Sequence, residues 1–190
     1  MTVDNAVHDT RSRLLDTALK LFSQHGMEGT SMQMIADALG ITKAAIYYHF
    51  KTKDEIVEAL VAPPIRELDQ FLHEARTKRS RSAQIDQALQ GFVQIIVRYR
   101  ALISLFSSDP AIQRVMRRTQ EARRVDDLQT TMQAVLAGPE PTLAETITVQ
   151  IVFAGLSRVG GDPRYADLDD DTLRQHLLDV GRRLLGRPRR

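Results

Sequence analysis

Most apolar side chains along this chain recur three and four residues apart, the spacing of helices that each bury one stripe. Leu14, Leu15, Ala18, Leu19, Leu21 and Phe22 predict a first helix from about Thr10 to His25, with Gly26 as its stop. Thr30-Ser31-Met32-Gln33 has the capping-box pattern, and the short helix it opens turns Ile35, Ala36 and Leu39 inward before Gly40 ends it. Thr42 is placed to cap a third helix, with Ile46 and Phe50 on its buried side. Thr52-Lys53-Asp54-Glu55 repeats the capping box and opens a fourth helix. Pro63-Pro64 falls inside that helix and predicts a kink or break, since proline gives no N–H and crowds the preceding turn.

Further on, the pattern predicts a loop over Thr77–Ser82, a helix over Ser82–Tyr99, and a short apolar helix over Ala101–Phe106. Asp109-Pro110 reads as a cap followed by proline at the first helical position, opening a helix to Ala137 with an interruption near Gln120. Gly138-Pro139-Glu140-Pro141 and Gly160-Gly161-Asp162-Pro163 are breaks, leaving two last helices, Thr142–Val159 and Asp169–Leu185. The fold expected is all-α, with about nine helices. Residues 10–53 form a three-helix unit, 54–186 a second helical domain, and 1–9 and 187–190 flexible tails.

Composition narrows the chemistry. Hydrophobic residues make up 43% of the 190 and charged residues 26%, an ordinary globular balance. With no cysteine, disulfides and thiolate metal sites are excluded. No signal-peptide core and no long apolar run predict a cytoplasmic protein with no membrane partner. The net charge of +2 is a weak hint, and where the charge sits matters more. Between Thr42 and Lys53 lie Lys43, Lys51, Lys53 and His49, with no acid. The basic run from Arg182 to Arg190 reads as a solvated end.

Two short helices joined by a glycine turn are the parts of a helix-turn-helix, whose second helix enters the major groove. Here Ala36–Thr42 supplies a helix end, the turn and the next cap, and the face left outside carries Thr42, Lys43, Ala44, Tyr47, Tyr48 and His49. Small Ala44 and Ala45 allow close approach to base edges, lysine donates to guanine or phosphate, and tyrosine and histidine donate to phosphate. On this pattern alone, a helical interaction module that binds no DNA remains open beside the DNA reader. No metal-like histidine pairing, nucleophile elbow, phosphate loop or dinucleotide fingerprint points to an enzyme or to a cofactor.

The string Leu15–Phe22, then Gly26, then Thr30–Lys53 resembles the TetR/AcrR family of repressors over roughly the first quarter of the chain. The resemblance implies a cytoplasmic homodimer bound to a palindromic double-stranded DNA operator, released when a small-molecule effector binds a helical regulatory domain. It implies base or adjacent phosphate contacts from Gln33 and Lys43, a groove lining of Thr42, Ala44 and Tyr47, and phosphate contacts from Tyr48, His49 and Lys53. Ser31, at the start of the reading stretch Ser31–Phe50, joins that set. Ala45 limits direct base reading and shifts weight onto DNA shape.

In the regulatory half, Leu173, Leu177, Val180 and Leu184 recur at helix-seam spacing, and Ile147, Ile151, Ala154 and Gly155 offer a facing surface for a two-fold four-helix interface. Phe92, Ile96, Tyr99, Phe106, Met116 and Phe153 are candidate lining for an effector pocket. The effector class stays open between hydrophobic and anionic. Arg114, Arg117, Arg118, Arg123 and Arg124 read either as a solvated face or as recognition of a carboxylate or acyl-CoA. Asp167–Asp171 carries acids suited to a helix start and lacks calcium-loop spacing.

Overall fold

The computed structural model describes residues 3–186, with the side chains of 3–8, 120 and 122 left undescribed. Among the described residues there are ten α-helices and one 3₁₀ turn: α1 (Val3–Gly29), α2 (Met32–Leu39), α3 (Lys43–His49), α4 (Lys53–Arg76), α5 (Arg81–Arg98), α6 (Arg100–Ser108), α7 (Pro110–Arg118), α8 (Gln120–Ala137), α9 (Leu143–Gly160), the turn Pro163–Tyr165, and α10 (Asp170–Leu184). The expected nine become ten because the interruption foreseen near Gln120 is complete at Thr119 and separates α7 from α8. Residues 3–9, expected as tail, belong to α1. The tail residues 187–190 lie outside the described residues.

Local signals account for most helix ends. Thr42, Thr52 and Asp109, expected as caps, each accept a backbone N–H at the start of α3, α4 and α7, and Thr142 and Asp169, expected as first helical residues, do the same for α9 and α10. The cap of α2 is Ser31, one residue later than the expected Thr30. Thr30 is buried, and its hydroxyl donates to Gly26 O at 2.8 Å, tying off the end of α1 instead. Gln33 therefore does not close a box; its amide donates to Asp37 Oδ1 at 2.8 Å. At α4 the Thr52 half of the box forms, while Glu55 accepts from Lys51 N at 2.7 Å.

Of the kink or break expected at Pro63-Pro64, the break does not occur: α4 runs through both prolines from Lys53 to Arg76. Neither proline can donate, so Ala59 O and Leu60 O lose their ladder partners, at a cost of about 3 kcal/mol per proline. Val61, Ile65, Leu68 and Leu72 are buried on the same stripe against α5 and α8, and that burial carries the helix across the gap. Helix α4 therefore joins the two halves as one continuous helix. Its first turns complete the unit of α1–α3 through Ile56 and Val57, and its remainder lies in the core of the second half.

The buried side chains make one continuous cluster. It runs from Leu14, Phe22, Ile35, Ile46 and Phe50 through α4 to Leu89, Ile96, Met132, Val152 and Leu177. No single helix of the described residues is long and apolar enough to cross a membrane.

Candidate nucleic-acid interface and core cavity

Between α2 and α3 the chain turns on Gly40, at φ 67° and ψ 30°. Gly40 N donates to Asp37 O and Ile41 N to Ala36 O, each at 3.1 Å, so the carbonyls at the end of α2 are satisfied within a left-handed turn. Only glycine adopts that conformation without strain, and it sets α3 across α2. Ile46 at 0% and Phe50 at 3% exposure pin α3 to the unit from beneath.

The opposite face of α3 is open. Thr42, Lys43 and Ala44 are exposed, as are Tyr47 at 37% and Tyr48 at 74%. His49 is half-buried, its ring edge-on to Tyr48 at 5.2 Å. Lys43 Nζ lies 5.8 Å from the Tyr47 ring centroid, so the two side chains occupy one patch. Ser31 and Gln33 are exposed at the start of α2. Of the sequence-predicted set, all but His49 and Lys53 are therefore exposed.

Lys53, expected on phosphate, is half-buried. Its ammonium donates to Met27 O at 2.5 Å and Thr30 O at 2.7 Å, neutralising carbonyls at the end of α1. Lys51, an exposed lysine outside the predicted set, donates to Tyr47 O at 2.5 Å and so closes α3.

A further group joins this unit to the regulatory half. The chain kinks at Gly26 (φ 72°, ψ 164°), and the Met27 N–H is given to Asp109 Oδ2 at 2.7 Å. Arg114 of α7 pairs with Glu28 beside it. Sequence reading identified Asp109 as a helix cap; its second partner, far away in the chain, left no local signal.

In the regulatory half, Phe92, Ile96, Tyr99, Phe106 and Phe153 line one cavity of about 160 Å³ beneath α4 and α8. Phe92 and Phe153 stack at 4.6 Å between centroids. Met116 does not line it: the break at Thr119 leaves α7 against α1, α4 and α6, and Val125 and Leu128 of α8 take that wall. The Tyr99 hydroxyl donates to Glu67 Oε1 at 2.6 Å, and Arg98 pairs with the same carboxylate at 3.2 Å. Burial first, and the Glu67 hydrogen bond second, push the Tyr99 phenol up to about 12, so it keeps its proton. None of the arginines singled out from sequence lines the cavity; Arg124 pairs with Glu121 at 3.0 Å on the outer face.

On α9 and α10 the predicted seam divides. Ile147 (44% exposed), Ile151 (56%), Val180 (39%) and Leu184 (45%) are exposed, as are Ala154 and Gly155, and Leu143 (76%) and Val159 (40%) extend the same apolar surface. Leu173 and Leu177 are 3% exposed and belong to the chain's own core, where α10 packs on α5 and α9. They leave the candidate interface. A single helix stripe served two purposes, and spacing could not separate them.

Comparison with known proteins agrees with this geometry. Residues 14–60 match the family model described as "Bacterial regulatory proteins, tetR family". The chain is 52% identical over 48 residues to the HTH-type transcriptional regulator AcrR of Shigella flexneri, covering 25% of this chain and 22% of that one. It is 43% identical over 63 residues to the probable acrEF/envCD operon repressor of Escherichia coli K12, covering 32% and 29%. The chain thus matches less than a third of the length of these curated relatives. Over the whole fold it is similar to the ketosteroid transcriptional regulator KstR2 of Mycobacterium tuberculosis, with a TM-score of 0.73, 18% identity and 93% of each chain covered.

Proposed function

We propose that this chain, a member of the TetR/AcrR family of transcriptional regulators, is a DNA-binding repressor that works as a homodimer and leaves its operator when a small molecule fills the core cavity. The observation that carries the reading is the exposed, acid-free face of α3 held on a buried Ile46–Phe50 base. A helix so mounted presents Lys43, Tyr47 and Tyr48 as a rigid unit to a major groove and its flanking phosphates.

The apolar surface of α9 and α10 supports the dimer. Ile147, Ile151 and Val180 are too large and too closely spaced to be scattered surface residues, and a second copy would take them out of water. Two copies bring two α3 helices to half-sites about one helical turn apart, or a multiple of it, on a palindromic operator.

For the response, an effector need only favour one arrangement of the two copies over the other. Helix α4 and the Asp109–Met27 bond offer the route, because both run from the cavity side to α1. Fluorescence anisotropy with duplexes tiled across neighbouring promoters, at stepped salt, tests the reading. A palindrome bound specifically, with affinity falling as salt rises, is the expected result. No binding at low salt to any duplex overturns it.

A further inference from the structure

The cavity under α4 and α8 has a chemistry of its own, and that chemistry selects a ligand class. Its walls are almost wholly hydrocarbon, from Ile65, Leu102, Phe106 and the stacked Phe92–Phe153 pair. Tyr99 and Ser157 are the hydroxyl-bearing residues of the lining. Tyr99 spends its proton on Glu67 Oε1, so its oxygen has only lone pairs left to offer a ligand. The Ser157 hydroxyl has no hydrogen-bond partner among the described residues. One acceptor and one uncommitted hydroxyl match a ligand hydroxyl, which donates to Tyr99 and accepts from Ser157.

Charge and size narrow the class further. Among the described residues no lysine, arginine or histidine lines the cavity, and the Glu67 carboxylate that holds the Tyr99 hydroxyl is itself paired with Arg98. A carboxylate entering here would lose its water and gain no cation among the cavity walls, the nearby Arg98 being already paired with Glu67. The cleft just outside, between α4 and α8, sets Arg66 and Arg124 against Asp69 and Asp127, so it has no net charge to draw an anion inward. The volume of about 160 Å³ is close to that of apolar protein cavities of about 150 Å³ that take a single benzene ring. A single ring fills that volume.

We propose that the cavity binds an uncharged single-ring alcohol or phenol, its ring among the apolar walls and its hydroxyl between Ser157 and Tyr99. This rests on the reading of the cavity as the effector site, and it sets aside the anionic alternative raised by the arginine-rich sequence of α7 and α8.

Binding to the full chain without DNA tests the class directly. Phenol, toluene, benzoate and octanoate are titrated calorimetrically into the protein and into its Ser157→Ala and Tyr99→Phe variants. Phenol binds saturably, benzoate and octanoate do not, and toluene binds about five- to tenfold more weakly than phenol, the worth of about one hydrogen bond. Ser157→Ala, a mild change whose fold is checked by its melting curve, brings the phenol-to-toluene ratio close to one, and Tyr99→Phe lowers it. Benzoate or octanoate binding as well as phenol, no binding of phenol, or a ratio unmoved in both variants overturns the proposal. Release of operator DNA is scored separately. Phenol that binds without releasing DNA refutes the effector reading and leaves the ligand class standing, whereas release by an anion that phenol cannot match refutes the class alone.

Discussion

The Asp109 carboxylate accepts the backbone N–H of Met27 at 2.7 Å through one oxygen while its other oxygen caps α7 through Ala111 N at 2.8 Å and Ile112 N at 3.3 Å. One side chain thus fixes the kinked end of α1 to the start of a regulatory helix. An asparagine can keep only one of these two roles, because it has one acceptor oxygen. Asp109→Asn is expected to lower stability by about 1–2 kcal/mol, the usual worth of a helix cap or a charge-assisted bond. Hydrogen exchange should quicken at Met27 or at Ala111 and Ile112, whichever role the asparagine gives up, and more than in α5. Unchanged protection at all three would mean that the carboxylate does not hold the two halves together in solution.

Lys43 and Lys53 should behave as opposites. Lys43 is exposed on the α3 face, so Lys43→Ala is expected to weaken specific DNA binding by about 1–3 kcal/mol if it reads a base. Equal weakening on unrelated duplexes, with a salt slope reduced by about one, would assign it to phosphate.

Lys53→Met leaves Met27 O and Thr30 O without their shared donor. Its expected effect is a stability loss of about 1–3 kcal/mol, with the salt slope of DNA binding unchanged. Denaturant melts beside a salt titration separate the two outcomes. A changed slope with unchanged stability would return Lys53 to the phosphates.

What sequence could resolve here was whatever is settled within one helical turn. Thr42, Ile46 and Phe50 took their places because cap, stripe and turn are local. The cap of α2 slipped from Thr30 to Ser31 because the two hydroxyls are equivalent as letters, and only packing decides which one is buried. The bonds of Lys53 to Met27 O and Thr30 O left no local signal, because those partners lie 26 and 23 residues away. Met116 missed the cavity because the break at Thr119 redirected which helix faces it. The Asp109–Met27 bond spans 82 residues and was beyond any local pattern.

Two residues of the predicted seam now make different predictions. Ile151 is 56% exposed on α9, so Ile151→Glu should leave the fold intact and halve the mass seen by light scattering. Leu177 is 3% exposed in the chain's own core, so Leu177→Ala should cost about 2–5 kcal/mol in stability. A dimeric Ile151→Glu protein would remove α9 from the interface.

Pro63 and Pro64 sit in an unbroken α4, which gives their replacement a definite sign. Each proline removes a ladder hydrogen bond and crowds the turn before it, making it about 3 kcal/mol worse than alanine in a helix interior. Against this, proline stiffens the unfolded chain, worth about 0.4–1 kcal/mol where its conformation suits the site. Because the surrounding core already holds α4 in helical form, alanine gains Ala59 O as a hydrogen-bond acceptor without further rearrangement. Pro63→Ala is therefore expected to raise Tm and to slow hydrogen exchange across the middle of α4. Pro64 also lines the cavity, so Pro64→Ala widens it and gives back part of the gain. A fall in Tm for Pro63→Ala would mean that the prolines bend α4 into a shape the core needs. Operator affinity would then be expected to fall with it, because the same helix sets the position of α3.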